Sequence, residues 1–140
     1  MTKILDTNVL VRHVSGSPED QAKSATKYLQ TSEAGELLVT DVHISEFVWV
    51  LQSTMYQAER DTVRLALEAI LALPAITVVD AGLLQDAIDL FAGRSMSWTD
   101  AYLVASARAR KAEEVVSFDR FDSKLVGTGV RRLEPKRGAR

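Results

Sequence analysis

The chain has 140 residues, with 17 Lys and Arg against 19 Asp and Glu and a formal net charge of -2. With 46% hydrophobic and 26% charged residues it has the make-up of a folded globular protein, and its length fits one domain. It holds no Cys and only His13 and His43, which excludes a disulfide scaffold, a thiol nucleophile and any Cys-based metal site.

The charge is uneven. Residues 1–59 carry 4 basic and 8 acidic groups, residues 60–107 carry 3 and 6, and residues 108–140 carry 10 and 5. The overall balance argues against a nucleic-acid partner, but the basic last quarter does not. No run approaches the roughly 18 apolar residues of a membrane span. An acid already stands at Asp6, so no secretory core is expected, and the protein is expected to be cytoplasmic and without membrane contact.

In chain order, Lys3, Ile4 and Leu5 read as a short strand, and Asp6, Thr7 and Asn8 offer capping side chains before Val9, Leu10 and Val11. Ser17 as N-cap and Pro18 at the first helical position open a helix running to about Ser32, with Ala22, Ala25, Tyr28 and Leu29 on its apolar stripe. A strand centres on Leu37, Leu38 and Val39. Asp41 to Tyr56 reads as a helix with Ile44, Phe47, Val48 and Leu51 on one face. A further helix spans Ala58 to Ala72 before Pro74, and Ala75 to Val79 is a β-branched strand. Asp80 caps a helix through Ala92, and Ser97 or Thr99 caps an Ala-rich helix from Trp98 to Ala112. Val115, Val116 and Ser117 form a strand, and Val130 to Leu133 the last one. Short strands alternating with longer helices predict an α/β fold: a single α/β/α domain over residues 1–134, with a short, mostly parallel central sheet of about five strands flanked by helices. Residues 135–140 read as a basic C-terminal tail.

In such sheets ligands bind beyond the carboxyl ends of the strands. Asp6 follows the first strand and Asp119 follows the Val115–Ser117 strand. Asp100 lies in the first turn of its helix, where a carboxylate complements the dipole. Each of these three also reads as a capping residue. Glu46 is harder to explain that way, because its helical neighbours are Val42, Trp49 and Val50, and an ionised carboxylate in apolar surroundings needs a partner. No Lys or Arg falls three or four residues from Glu46 or Asp100. Four converging carboxylates would repel one another, and a hard divalent cation bound through oxygens would relieve that repulsion, Mg²⁺ or Mn²⁺ suiting such a site better than zinc.

The runs Ile4–Leu10, Ile44–Leu51, Ser97–Ala105 and Ser117–Phe121 resemble, in order and spacing, the four acidic motifs of the PIN-domain ribonucleases. At this size the chain is most similar to the VapC toxins of type II toxin–antitoxin pairs. One departure is that the family's fourth motif often reads Asp-x-Asp-Phe, whereas here the second acid is displaced to Asp122. The resemblance implies a PIN-like fold and hydrolysis of RNA phosphodiesters with one or two Mg²⁺ or Mn²⁺ ions, leaving a 5′-phosphate. It implies Asp6 and Asp100 as main metal ligands, Asp119 as a ligand directly or through water, and Glu46 as the residue that positions or deprotonates the attacking water. Thr7, Asn8 and Ser117 match the small polar residues that orient Asp6 and the substrate. The implied partners are RNA, a cognate antitoxin whose C-terminal segment fills a groove and whose arginine reaches the acids, and a second copy in a homodimer.

Two other readings compete: a non-catalytic α/β interaction module whose acids cap helices, and a phospho-acceptor domain, which would want adjacent acids after the first strand where only Asp6 stands. His13 and His43 read as structural or surface residues, and Gly127-Thr128-Gly129 as a turn.

Overall fold

The alternating apolar runs fold, in chain order, into β1 (Lys3–Ile4), α1 (Thr7–Ser15), α2 (Glu19–Thr31), β2 (Leu37–Val39), α3 (Asp41–Gln52), α4 (Arg60–Leu71), β3 (Ile76–Val78), α5 (Ala81–Gly93), α6 (Trp98–Ala109), β4 (Glu114–Val116) and β5 (Arg131–Leu133), with a 3-10 turn at Asp122–Lys124. The structure is a computed structural model that describes residues 1–136, so most of the expected basic tail, residues 137–140, lies outside the described residues. The chain divides into two units, Met1–Asp80 and the residues from Ala81 onward.

In the first unit the strand order is β1-β2-β3 and every pair is parallel, with Lys3 opposite Leu37 and Leu38 opposite Thr77. Parallel neighbours cannot be joined by a tight turn, so α1 and α2 cross from β1 to β2, and α3 and α4 from β2 to β3. Leu5 lies just past β1, yet its N–H still donates to the Leu38 carbonyl at 2.9 Å. Leu10, Leu29, Leu37, Ile44, Phe47 and Leu67 are fully buried around this sheet.

The helix boundaries follow local chemistry. Gly16 takes a left-handed φ of 73° and ends α1, its N–H donating to the Arg12 carbonyl. Pro18 occupies the N-cap of α2, one residue later than expected for Ser17, and the stripe of that helix buries Ala22, Ala25 and Leu29 but leaves Tyr28 exposed. Helix α3 stops at Gln52 rather than Tyr56 because both the N–H and the hydroxyl of Ser53 donate to the Val50 carbonyl, closing the last turn early.

In the second unit α5 packs along α6, and Phe91 meets Trp98 edge-on with ring centroids 5.9 Å apart. Strands β4 and β5 pair in parallel, with Val115 opposite Arg132. Ser117 lies just beyond β4, its N–H donating to the Leu133 carbonyl at 3.0 Å. The Gly127-Thr128-Gly129 stretch is the expected turn: both glycines have positive φ, and the buried Thr128 hydroxyl donates to the Leu125 carbonyl at 2.7 Å. The expected α/β class with parallel strands is therefore present. The strands pair as two ladders, of three and two, rather than as one hydrogen-bonded sheet of about five.

Candidate metal centre

Asp6 stands at the junction of β1 and α1, with an extended backbone at the N-cap position. Its carboxylate makes no capping hydrogen bond. Capping therefore does not account for this acid, although its charge still complements the helix dipole. Thr7, the first residue of α1, is only 3% exposed, and its hydroxyl donates to the His43 carbonyl at 3.1 Å. That bond ties the start of α1 to the first turn of α3.

On α3 the buried face is Ile44, Phe47, Val48 and Leu51, as the periodicity predicts. The other flank is open: Val42 is 72% exposed, Trp49 is 51% exposed, and Glu46 lies exposed between them. Glu46 is thus not sunk in apolar surroundings. The N-cap of α3 is Thr40, whose Oγ1 accepts the His43 N–H at 3.4 Å and lies 2.7 Å from His43 Nδ1. This places His43 one helical turn before Glu46 on the flank that faces Asp6. Asp6, His43 and Glu46 each offer one ligand atom, and these atoms lie within 4.8 Å of one another. Asp6 and Glu46, but not His43, also line a cavity of about 400 Å³ together with Asn8, Arg12, Val50 and Tyr56.

In the second unit Asp100 is half-buried in the first turn of α6. The cap there is made by Ser97, whose hydroxyl accepts the Asp100 N–H at 3.1 Å, so again the acid is not the cap. Asp119 is exposed two residues after Ser117, and the Ser117 hydroxyl accepts the Asp119 N–H at 3.0 Å. Ser117 thereby holds the loop that carries Asp119. Arg132 holds it as well, donating to the Ser117 carbonyl at 2.8 Å while pairing with Asp122 and Glu134, each at 2.9 Å. Both carboxylates raise the pKa of Arg132, Glu134 most strongly. The displaced acid Asp122 is therefore an ion-pair partner of Arg132.

Two residues important to these arrangements were not singled out from sequence. His43, read as structural or surface, joins Asp6 and Glu46; its spacing of three residues from Glu46 was the available signal. For Arg132 the nearby Glu134 gave no hint of a role at the site, because the partners that tie it to the Asp119 loop, Asp122 and Ser117, stand 10 and 15 residues away.

The donor set fits a divalent cation. Two carboxylates and an imidazole lie close to the roughly 4 Å span of an octahedral shell, and among the described residues no Lys or Arg forms an ion pair with Asp6 or Glu46. An α/β fold with parallel strands and acids just beyond the strand ends defines the class, and the family model of the PIN domain matches residues 3–122, a span that includes all four predicted acids. The chain belongs to the PIN-domain family. It is similar to the VapC ribonuclease of Aquifex aeolicus (strain VF5), with 32% identity over 124 residues, 88% of this chain and 91% of that relative. Among solved structures, VapBC2 from Rickettsia felis bound to a DNA fragment from their promoter aligns over 97% of this chain and 100% of that one, with 13% identity and a TM-score of 0.36.

Proposed function

We propose that this chain is a Mg²⁺-dependent endoribonuclease, with Mn²⁺ as an alternative ion, and the toxin of a type II toxin–antitoxin pair. One observation carries the reading: in a chain of the PIN family, Asp6 and Glu46 present their carboxylates to one point, and neither is engaged as a helix cap or by a Lys or Arg ion pair. The competing interaction-module reading needs the acids as caps, whereas Asp6 makes no capping hydrogen bond at α1 and Ser97 makes the cap at α6.

Asp6 and Asp100 are the residues that would hold the cation, with Asp119 direct or through water; Asp100 and Asp119 are assigned by their motifs. When bound, such an ion neutralises charge on the scissile phosphate and acidifies a water. Glu46 orients the attacking water through its carboxylate oxygen and accepts its proton, and the 3′-oxygen leaves so that the product carries a 5′-phosphate. Thr7 fixes the α1 start behind Asp6, and Ser117 fixes the backbone at Asp119. Asn8, exposed at the cavity rim, and Arg12 face the incoming strand, and Tyr56 offers a ring for a base. Residues 1–134 act as one nuclease domain.

The cognate antitoxin is the protein partner. A cavity of about 570 Å³ lined by Leu5, Val9, Arg12, Ala25 and Tyr28 suits an apolar segment with a polar end. Exposed Val42 and Trp49 suit a homodimer contact. Among the described residues no helix is long and apolar enough to cross a membrane, and the cytoplasm is the proposed location.

The test compares wild type with Asp6→Asn and Asp100→Asn on a panel of structured RNAs, with and without EDTA. Cleavage is expected only from wild type with Mg²⁺ or Mn²⁺, each substitution lowering it by more than about 100-fold. Cleavage that survives chelation or both substitutions overturns the mechanism.

A further inference from the structure

The imidazole beside the two carboxylates is singled out by its hydrogen bonding. His43 Nδ1 lies 2.7 Å from Thr40 Oγ1, while the Thr7 hydroxyl holds the His43 carbonyl at 3.1 Å. Ring and backbone are thus both restrained. In the tautomer that donates Nδ1–H to Thr40, the second ring nitrogen, Nε2, carries the free lone pair. A histidine whose other nitrogen is tied to an oxygen acceptor is the usual arrangement of a metal-ligating imidazole. A ring nitrogen of His43 already lies within 4.8 Å of a carboxylate oxygen of both Asp6 and Glu46.

We infer that His43 is a further ligand of the cation held at Asp6, and that this nitrogen tilts the site away from Mg²⁺ toward Mn²⁺ and other first-row transition metals. Carboxylate and water ligands alone suit Mg²⁺, whereas imidazole favours the softer ions later in the series. The inference rests on the proposed function, which places a divalent cation at Asp6. It adds a donor to the ligand set and a metal preference that carboxylates alone do not supply. His43→Gln is the informative substitution, because it keeps a side chain of similar length and offers only a hard amide oxygen for coordination. The hydrogen bond from Thr7 goes to the backbone carbonyl and survives the change.

The test uses the full chain with Mn²⁺ alone as probe. Pulsed electron paramagnetic resonance of the Mn²⁺-loaded protein should show modulation from a directly bound nitrogen-14, absent in His43→Gln. Calorimetric titration with Mn²⁺ and with Mg²⁺ should give a preference for Mn²⁺ that falls by about tenfold or more in His43→Gln. Mn²⁺ bound without nitrogen coupling, or an unchanged preference in the variant, overturns the role of His43. If RNA cleavage in that case still needs metal and Asp6, the nuclease reading stands without it. A wild-type chain that binds no Mn²⁺ at millimolar concentration and cleaves under EDTA overturns both.

Discussion

At the residue scale, the acids nearest to helix starts do not cap them. Asp6 makes no capping hydrogen bond at α1, and Ser97 caps α6, a contact on the order of 1 kcal/mol, so Asp6 and Asp100 are left for other chemistry. The capping reading was reasonable from sequence, where Asp and Ser at a helix start have the same propensity. Which of the two takes the N–H depends on side-chain direction, which composition does not reveal. Arg132 shows the same limit from the other side. Its guanidinium is 11% exposed and joins Asp122, Glu134 and the Ser117 carbonyl, so it braces the loop that carries Asp119. Arg132→Ala is expected to speed amide hydrogen exchange at Asp119 and Ser117 while leaving helix content by circular dichroism unchanged. Arg132→Lys should restore only part of the protection, because an ammonium lacks the planar fork that serves three acceptors. Unchanged exchange at Asp119 in Arg132→Ala would remove the bracing role.

At the element scale, the parallel first sheet depends on bringing β1 beside β2 across a crossover of two helices. Lys3 and Glu36 flank that pairing. The Lys3 N–H donates to the Glu36 carbonyl at 2.7 Å, and the ammonium reaches the Glu36 carboxylate at 2.8 Å. The side-chain bond to Lys3 lowers the pKa of Glu36 below its ordinary 4.5, and the same bond raises Lys3 above 10.5, with Tyr28 adding to it. A depressed carboxylate stabilises the fold above its unfolded pKa and loses that contribution as pH falls through the folded value. A raised ammonium stabilises below its unfolded pKa and loses the contribution as pH rises through the folded value. The pair therefore supports the fold between about pH 4.5 and 10.5 and fades on either side. Urea midpoints of wild type should fall more steeply below pH 4.5 than those of Glu36→Gln, with the difference shrinking in high salt because Lys3 is half-exposed. Parallel curves for the two proteins would show that the pair contributes nothing measurable.

At the scale of the whole molecule, the uneven charge along the chain has a spatial meaning. Three of the ten basic residues of the last quarter are engaged in ion pairs among the described residues: Arg108 with Asp86, Arg131 with Glu114, and Arg132 with Asp122 and Glu134. Arg110, Lys111 and Arg120 are exposed and form no ion pair among the described residues. With Lys136, likewise exposed and outside any ion pair, they are the candidates of this segment for contact with RNA phosphate under the proposed function. In EDTA, where binding is separated from cleavage, the double substitution Arg110→Ala with Lys111→Ala should weaken binding of a structured RNA. It should also flatten the dependence of log affinity on log salt by about one unit or more. An unchanged slope would mark these residues as solvated surface.

The sequence by itself determined the class of this protein. Apolar runs and turn residues located five of the six helices and the five strands among the described residues to within a few residues, with α1 marked only by its capping side chains, and four acids in family order pointed to the PIN domain, because hydrophobic patterning and motif spacing are local properties of the chain. Tertiary structure alone decided the rest. It put His43 beside Asp6 across 37 residues of chain, gave Asp122 to Arg132, set Glu46 on an open flank, and divided the strands into ladders of three and two. Each of these depends on where distant segments meet, and that is set by packing and hydrogen bonding between elements that local patterns do not encode.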